Sequence, residues 1–114
     1  MIFEEITQTF RTRTYYIRPG YASNPCGYVL LDEYDIPELQ NLSIDDYAKV
    51  DDFIDMHGGC TWVGPIPGKE GIWIGFDTNH WDDNFSTQNM QFAVDQCCEI
   101  IIQLLNHQES RVLR

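Results

Sequence analysis

Cations are scarce in this chain. Seven Lys and Arg stand against eighteen Asp and Glu, for a formal net charge of −11. Affinity for a nucleic-acid backbone comes from lysine and arginine neutralising phosphates, so a broad nucleic-acid surface is excluded. A small nucleotide in a pocket, or a basic protein surface, stays open as a partner, and the acidity also favours solubility. Uninterrupted apolar runs of about 18 residues are missing, so no membrane span is expected. The first residues, Met1-Ile2-Phe3-Glu4-Glu5, lack the basic segment of a secretory leader, and a cytoplasmic location is expected. Four cysteines (Cys26, Cys60, Cys97 and Cys98) show no C-x-x-C spacing, which argues against a thiolate zinc site. Neighbours on a helix point about 100° apart, so Cys97 and Cys98 do not pair with each other. Reduced thiols fit the same compartment. No nucleophile–histidine–acid arrangement stands out, and no catalytic residue is assigned.

What is present suffices for one domain. A chain of 114 residues buries a single modest core, here expected over residues 1–107, with 108–114 a polar tail. Residues 2–18 are rich in threonine and aromatics and read as one long strand or a hairpin. Ile2, Ile6, Phe10 and Tyr16 share one parity, and Arg11, Arg13, Tyr15 and Ile17 the other. Arg11, Arg13 and Arg18 on this element would offset the acidic middle or meet an anionic ligand. Pro19-Gly20 stops the strand, and Cys26 to Leu31 form another. Between Asp32 and Asp55 lie nine of the eighteen acids, opposed only by Lys49. Ser43 and Asp46 have capping-box spacing, predicting a short acidic helix from about Ile44. A second helix is predicted from a Ser86 or Thr87 cap to Asn106 or His107. Its stripe of Met90, Val94, Cys97, Ile101, Leu104 and Leu105 is widened by Ile100 and Ile102. A stripe that broad suggests burial on more than one side, and therefore a homo-oligomer formed through this helix.

The densest chemistry lies from His57 to Asp83. His57-Gly58-Gly59 precedes a strand-like run, Cys60 to Gly64, and a second run alternates from Gly71 to Asp77. Pro65, Pro67 and Gly68 suggest that a loop joins the two as an antiparallel hairpin. The start of one strand then meets the end of the next, bringing His57 and His80 to one place. The Gly-Gly pair permits positive φ and close approach of a partner to the backbone, with N–H groups for an anion. Trp62 and Trp73 offer stacking planes. His57, Asp77, His80 and Asp83 are residue types that hold a divalent metal, should one bind; no other cofactor is expected.

The pair HGG-x-T-W-x-G (His57 to Gly64) and W-I-G-F-D-x-x-H-x-x-D (Trp73 to Asp83) resembles a motif pair in small proteins of bacteriophages and prophages. The upstream segment Cys26-Gly27-Tyr28-Val29 is similar too. The chain departs from that pattern where Trp81-Asp82 replace a usual glycine before Asp83. The resemblance implies an α+β fold and a phage setting, in which small accessory proteins often block host defences.

The expected architecture is α+β: an antiparallel sheet of about four strands, a short acidic helix, and a long C-terminal helix on one face. The expected function is capture of a small nucleotide-like ligand by His57, Gly58, Gly59, Trp62, Trp73, Asp77 and His80, without catalysis. Two other readings stand beside it. One is an acidic inhibitor of a host defence enzyme such as a nuclease. The other is a metal-dependent hydrolase using His57, Asp77, His80 and Asp83.

Overall fold

Arg11 and Thr12 both have positive φ, 48° and 69°, the backbone of a two-residue hairpin turn that matches strand twist. The computed structural model describes residues 4–112, with the side chains of residues 4–110, and in it this turn splits the first long run into two strands. They are β1, Ile6–Phe10, and β2, Arg13–Pro19. Strands β3 (Pro25–Leu30), β4 (Trp62–Gly64) and β5 (Trp73–Phe76) complete one antiparallel sheet in the order β1-β2-β3-β5-β4. The sheet therefore has five strands rather than about four. Ile2 lies outside the described residues.

The turn also changes which residues share a face. Ile6 pairs with Ile17 and Thr7 with Tyr16, so even positions of β1 lie beside odd positions of β2. Ile6 and Phe10 pack with Tyr15 and Ile17, and not with Tyr16 as simple parity suggests. A two-residue turn makes paired residue numbers sum to an odd value, which reverses parity across the hairpin.

Each sheet face has its own core. On one, Tyr15, Ile17, Val29, Val63, Ile74 and Phe76 pack against Ala93, Cys97, Ile100, Ile101 and Leu104 of the long C-terminal helix. On the other, Tyr16, Cys26, Tyr28, Ile66 and Trp73 form a second cluster, with Leu30 and Trp62 at its margin. The fold is α+β, with the helix on one face as the sequence predicts. Among the described residues no helix is long and apolar enough to cross a membrane.

The long helix spans Met90–Val112, displaced at both ends from the expected bounds. Asn89 caps it, its side-chain oxygen accepting from the Phe92 N–H at 2.8 Å, the geometry of an N-cap bonding the third helical residue. Thr87 is occupied elsewhere, donating to Asp83. The helix outlasts His107 because tertiary bonds hold its last turns: His107 Nε2 lies 2.8 Å from the Phe53 carbonyl oxygen, and Gln108 donates to Asp35. The expected polar tail is thus helical as far as Val112, and residues 113–114 lie outside the described ones. One chain covers much of the broad apolar stripe. The sheet takes one side, and the segment from Val50 to His57 lies along another, tied by Asp55 and Gln103. Ile102 and Leu105 remain half-buried.

The short helix is Tyr47–Asp51, one turn later than predicted. Ser43 N–H does donate to the Asp46 carboxylate at 2.7 Å, but Asp46 N–H bonds the Ser43 carbonyl, closing a separate turn ahead of the helix. Arg13 docks the acidic segment on the sheet. Its guanidinium makes two bonds to Asp35, at 3.1 and 2.7 Å, and a third to the Leu30 carbonyl. Arg13 and Asp35 are buried, so of the two roles considered for the arginines, Arg13 performs the first.

Candidate functional site

The β4–β5 hairpin delivers both histidines to one place. Trp62 pairs with Gly75 and Gly64 with Trp73, and Thr61 N–H extends the ladder to the Gly75 carbonyl. The turn before β4 therefore lies beside the loop after β5. The His57 and His80 rings meet edge to face, their centroids 5.5 Å apart.

Asp83 joins the pair. His57 Nε2 lies 2.5 Å from its Oδ1, and His80 Nδ1 lies 2.9 Å from its Oδ2. The His80 backbone N–H and the Thr87 hydroxyl also donate to it, at 2.8 and 2.7 Å. The Asp83 side chain is fully buried. Burial pushes its pKa up, but the bonds from Thr87, the His80 backbone and the two imidazoles outweigh that and hold it down to about 2. Asp77 stands on the far side of His80, Oδ1 to Nε2, at 3.8 Å. Of the four candidate metal ligands, His57, His80 and Asp83 place donor atoms within 4.8 Å of one another. Asp77 is an outer neighbour.

The two glycines serve this cluster differently. Gly58, at φ +69°, lies against the His80 ring, where a Cβ would overlap Cε1. Gly59, at φ +85°, turns the chain into β4. Its N–H donates to the Met56 carbonyl, and the Asp51 carboxylate accepts from Cys60 N–H next to it. The Gly59 N–H is therefore already bonded, and a carboxylate sits where an anion would approach.

Trp62 and Trp73 are elsewhere. His57 sits on the helix side of the sheet, its ring 5.0 Å from that of Phe92 and its N–H bonded to Gln96. The tryptophans belong to the opposite face. The single aromatic–histidine pocket expected from the sequence is thus two separate places. The reason is local: residues 57–60 form a turn, so strand alternation cannot be run back from Trp62 to His57.

On the helix-free face Tyr16 stacks on Tyr28 at 5.8 Å, and Trp62 and Trp73 meet this pair edge-on at 5.9 and 6.3 Å. Trp73 is buried, and Trp62 is half-buried. Tyr16, Arg18, Trp62, Ile66 and Pro67 line a cleft of about 330 Å³. Arg18 Nε–H donates to the Tyr28 hydroxyl at 3.0 Å, and its guanidinium lies over the Tyr28 ring. Lys69 Nζ lies 4.2 Å from the centre of the Tyr16 ring and donates to Thr7. Tyr16 was outside the residues expected at a site, and Arg18 entered only as one of three arginines offered to an anionic ligand. The available signal was their common parity on β2, which puts the two on one face; the register through β3, with Tyr16 opposite Tyr28 and Leu30 opposite Trp73, makes it the face of Trp73.

Burial raises the pKa values of the Cys26, Cys60 and Cys97 thiols, the opposite of what a reactive thiolate needs. All four cysteines are free. Comparison with protein-family models, with curated proteins and with solved structures returned no match for this chain.

Proposed function

We propose that this protein captures a small, planar, anionic ligand of nucleotide type on the helix-free face of its sheet. The observation that carries this reading is the aromatic cleft beside Arg18. Half-buried Trp62 supplies a plane for a base, and base–aromatic stacking contributes about 1–3 kcal/mol. Arg18 uses Nε–H on Tyr28, and a guanidinium has five donors, so its terminal N–H groups serve a phosphate. Lys69 adds a second cation. In a chain of net charge −11, two cations against one carboxylate, Glu5 on the Tyr16 hydroxyl, set this aromatic face apart. Relative to the expected site, Trp62 stays with the ligand and Trp73 backs the cleft from within the core, edge-on to Tyr16, while His57, Gly58, Gly59, Asp77 and His80 belong to the histidine cluster or its surroundings.

The ligand is held and not transformed: the cleft offers aromatic rings and an arginine, and the Glu5 carboxylate beside it is engaged by the Tyr16 hydroxyl at 2.6 Å. In the phage setting that the motif pair suggests, such a protein would withhold a nucleotide signal from host defence. The test is a binding screen of untagged protein against mono-, di- and cyclic nucleotides, read by tryptophan fluorescence. Saturable binding is expected, weakened at least tenfold by Trp62→Ala or Arg18→Gln. Denaturing the complex should return intact ligand at no more than one equivalent per site, with or without EDTA. Loss of ligand beyond one equivalent, abolished by EDTA, would make the protein a hydrolase. Absence of any binding at millimolar nucleotide would end the proposal.

A further inference from the structure

We infer that His57 Nε2, His80 Nδ1 and one oxygen of Asp83 form a binding site for a divalent transition-metal ion of the zinc type, separate from the aromatic cleft. The donor set of two imidazoles and a carboxylate suits a borderline ion, as oxygen-only sets suit calcium or magnesium. The three donor atoms lie within 4.8 Å of one another. A tetrahedral ion with bonds of ~2.0–2.1 Å needs donor pairs roughly 3.3 Å apart. His57 Nε2 lies 2.5 Å from Oδ1 and His80 Nδ1 lies 2.9 Å from Oδ2, the two oxygens of one carboxylate, so the ion enters as the rings move outward.

The surroundings have the character of a metal site's outer layer. Asp83 is oriented by the Thr87 hydroxyl and the His80 backbone N–H, neither of which depends on the imidazole protons. Asp77 faces His80 Nε2, the nitrogen left over when Nδ1 binds metal, and a carboxylate there fixes the tautomer and strengthens the ligand. Phe92 packs against the His57 ring. Gly58 leaves room for His80, where any side chain would displace it. An open groove of about 430 Å³, lined by Asp55, Met56, His57, Gln96, Glu99 and Gln103, leads to the His57 side. Its two acids draw cations towards the cluster.

The contacts to the Asp83 carboxylate place a proton on His57 Nε2 and on His80 Nδ1 in the empty cluster. An ion taking those nitrogens leaves the N–H of each bound imidazole on the other ring nitrogen, so that His80 Nε2–H points to Asp77.

The test uses untagged, full-length protein with Zn²⁺ and Co²⁺ as probes. Calorimetry should give one Zn²⁺ per chain, and Co²⁺ should show the intense visible absorption of a four-coordinate site. Nitrogen-15 spectra of the wild-type imidazoles should show His80 changing from the Nδ1–H to the Nε2–H form on adding Zn²⁺. This reading needs no variant to fold. His57→Ala and His80→Ala should each lower affinity at least 100-fold, and Asp77→Asn about tenfold. His107→Ala, at the third histidine, should leave it unchanged. Zn²⁺ binding weaker than about 100 μM, binding that survives His57→Ala, or unchanged tautomers at saturating Zn²⁺ would each overturn the inference, leaving the cluster a hydrogen-bonded latch.

Discussion

Gly58 lies directly against the His80 imidazole, so the two residues contend for one space: a Cβ at position 58 would coincide with ring atoms of residue 80. The turn before β4 and the loop after β5 are therefore fitted to each other by the absence of a side chain.

Gly58→Ala should destabilise the protein by about 2–4 kcal/mol, combining left-handed backbone strain with overpacking. Gly59→Ala meets the Asp51 carboxylate only at ordinary contact, 3.4 Å, and should cost about 1 kcal/mol from backbone strain alone. Chemical denaturation of both variants checks the difference. Equal losses would mean that the imidazole simply moves aside.

Asp35→Ala should cost about 3–5 kcal/mol, the range for leaving one member of a buried ion pair alone. Arg13 would keep the Leu30 carbonyl and Asp32, the latter at 3.4 Å. Replacing the pair together by Arg13→Met and Asp35→Leu should recover a large part of the loss. Urea titration of the single and double variants measures the coupling.

Alkaline pH should find the two stacked tyrosines. Burial first, then the bond to the Glu5 carboxylate, raises Tyr16 from 10.0 to about 12. Burial first, then the nearby Cys26 thiol, does the same for Tyr28. A folded-state value above the unfolded one favours the protonated, native form. The contribution is thus complete below pH 10 and lost as pH rises from 10 through about 12. Denaturation midpoints should begin to fall near pH 9, where the buried thiols ionise in the unfolded chain, and fall more steeply above pH 10, less so in Tyr28→Phe, which has one fewer tyrosine to ionise.

Loop residues Trp81 and Phe85 are 97% and 95% exposed. Ala at either place should change stability by less than about 0.5 kcal/mol. Thermal denaturation checks this, and a larger loss would mean that the loop is covered in solution.

Much of the fold was legible because alternation in residues 13–18, 26–30 and 73–76 sorts side chains onto two faces. The meeting of His57 and His80 was legible for a related reason: an antiparallel hairpin brings the start of one strand to the end of the next. Tertiary contacts decided the rest. Ser86, Thr87 and Asn89 are all good helix caps, and only the bond from Thr87 to Asp83 leaves the task to Asn89. The helix looked finished by His107 and Gln108 looked like tail because the partners of these two residues, Phe53 and Asp35, lie more than fifty residues away. The place of Arg18 depended on the pairing of β2 with β3, which sets it opposite Cys26, while the tight turn at Arg11-Thr12, whose two positive φ values no glycine or asparagine announces, decided which β1 residues share its faces.

The strand order β1-β2-β3-β5-β4 also sets an order of assembly. The first three strands form a meander of neighbours, whose closure needs only short loops. Strand β5 reaches β3 by pairing Trp73 with Leu30, across a span whose ends meet at a higher entropic cost. Contacts of long sequence separation form late and slowly. The His57–Asp83–His80 cluster draws on the turn before β4, the loop after β5 and, through Thr87, the approach to the long helix, so it is complete when all three are in place. An ion held there would bind the native chain far better than any partly folded one, and would act as a closing clasp on the last step of folding.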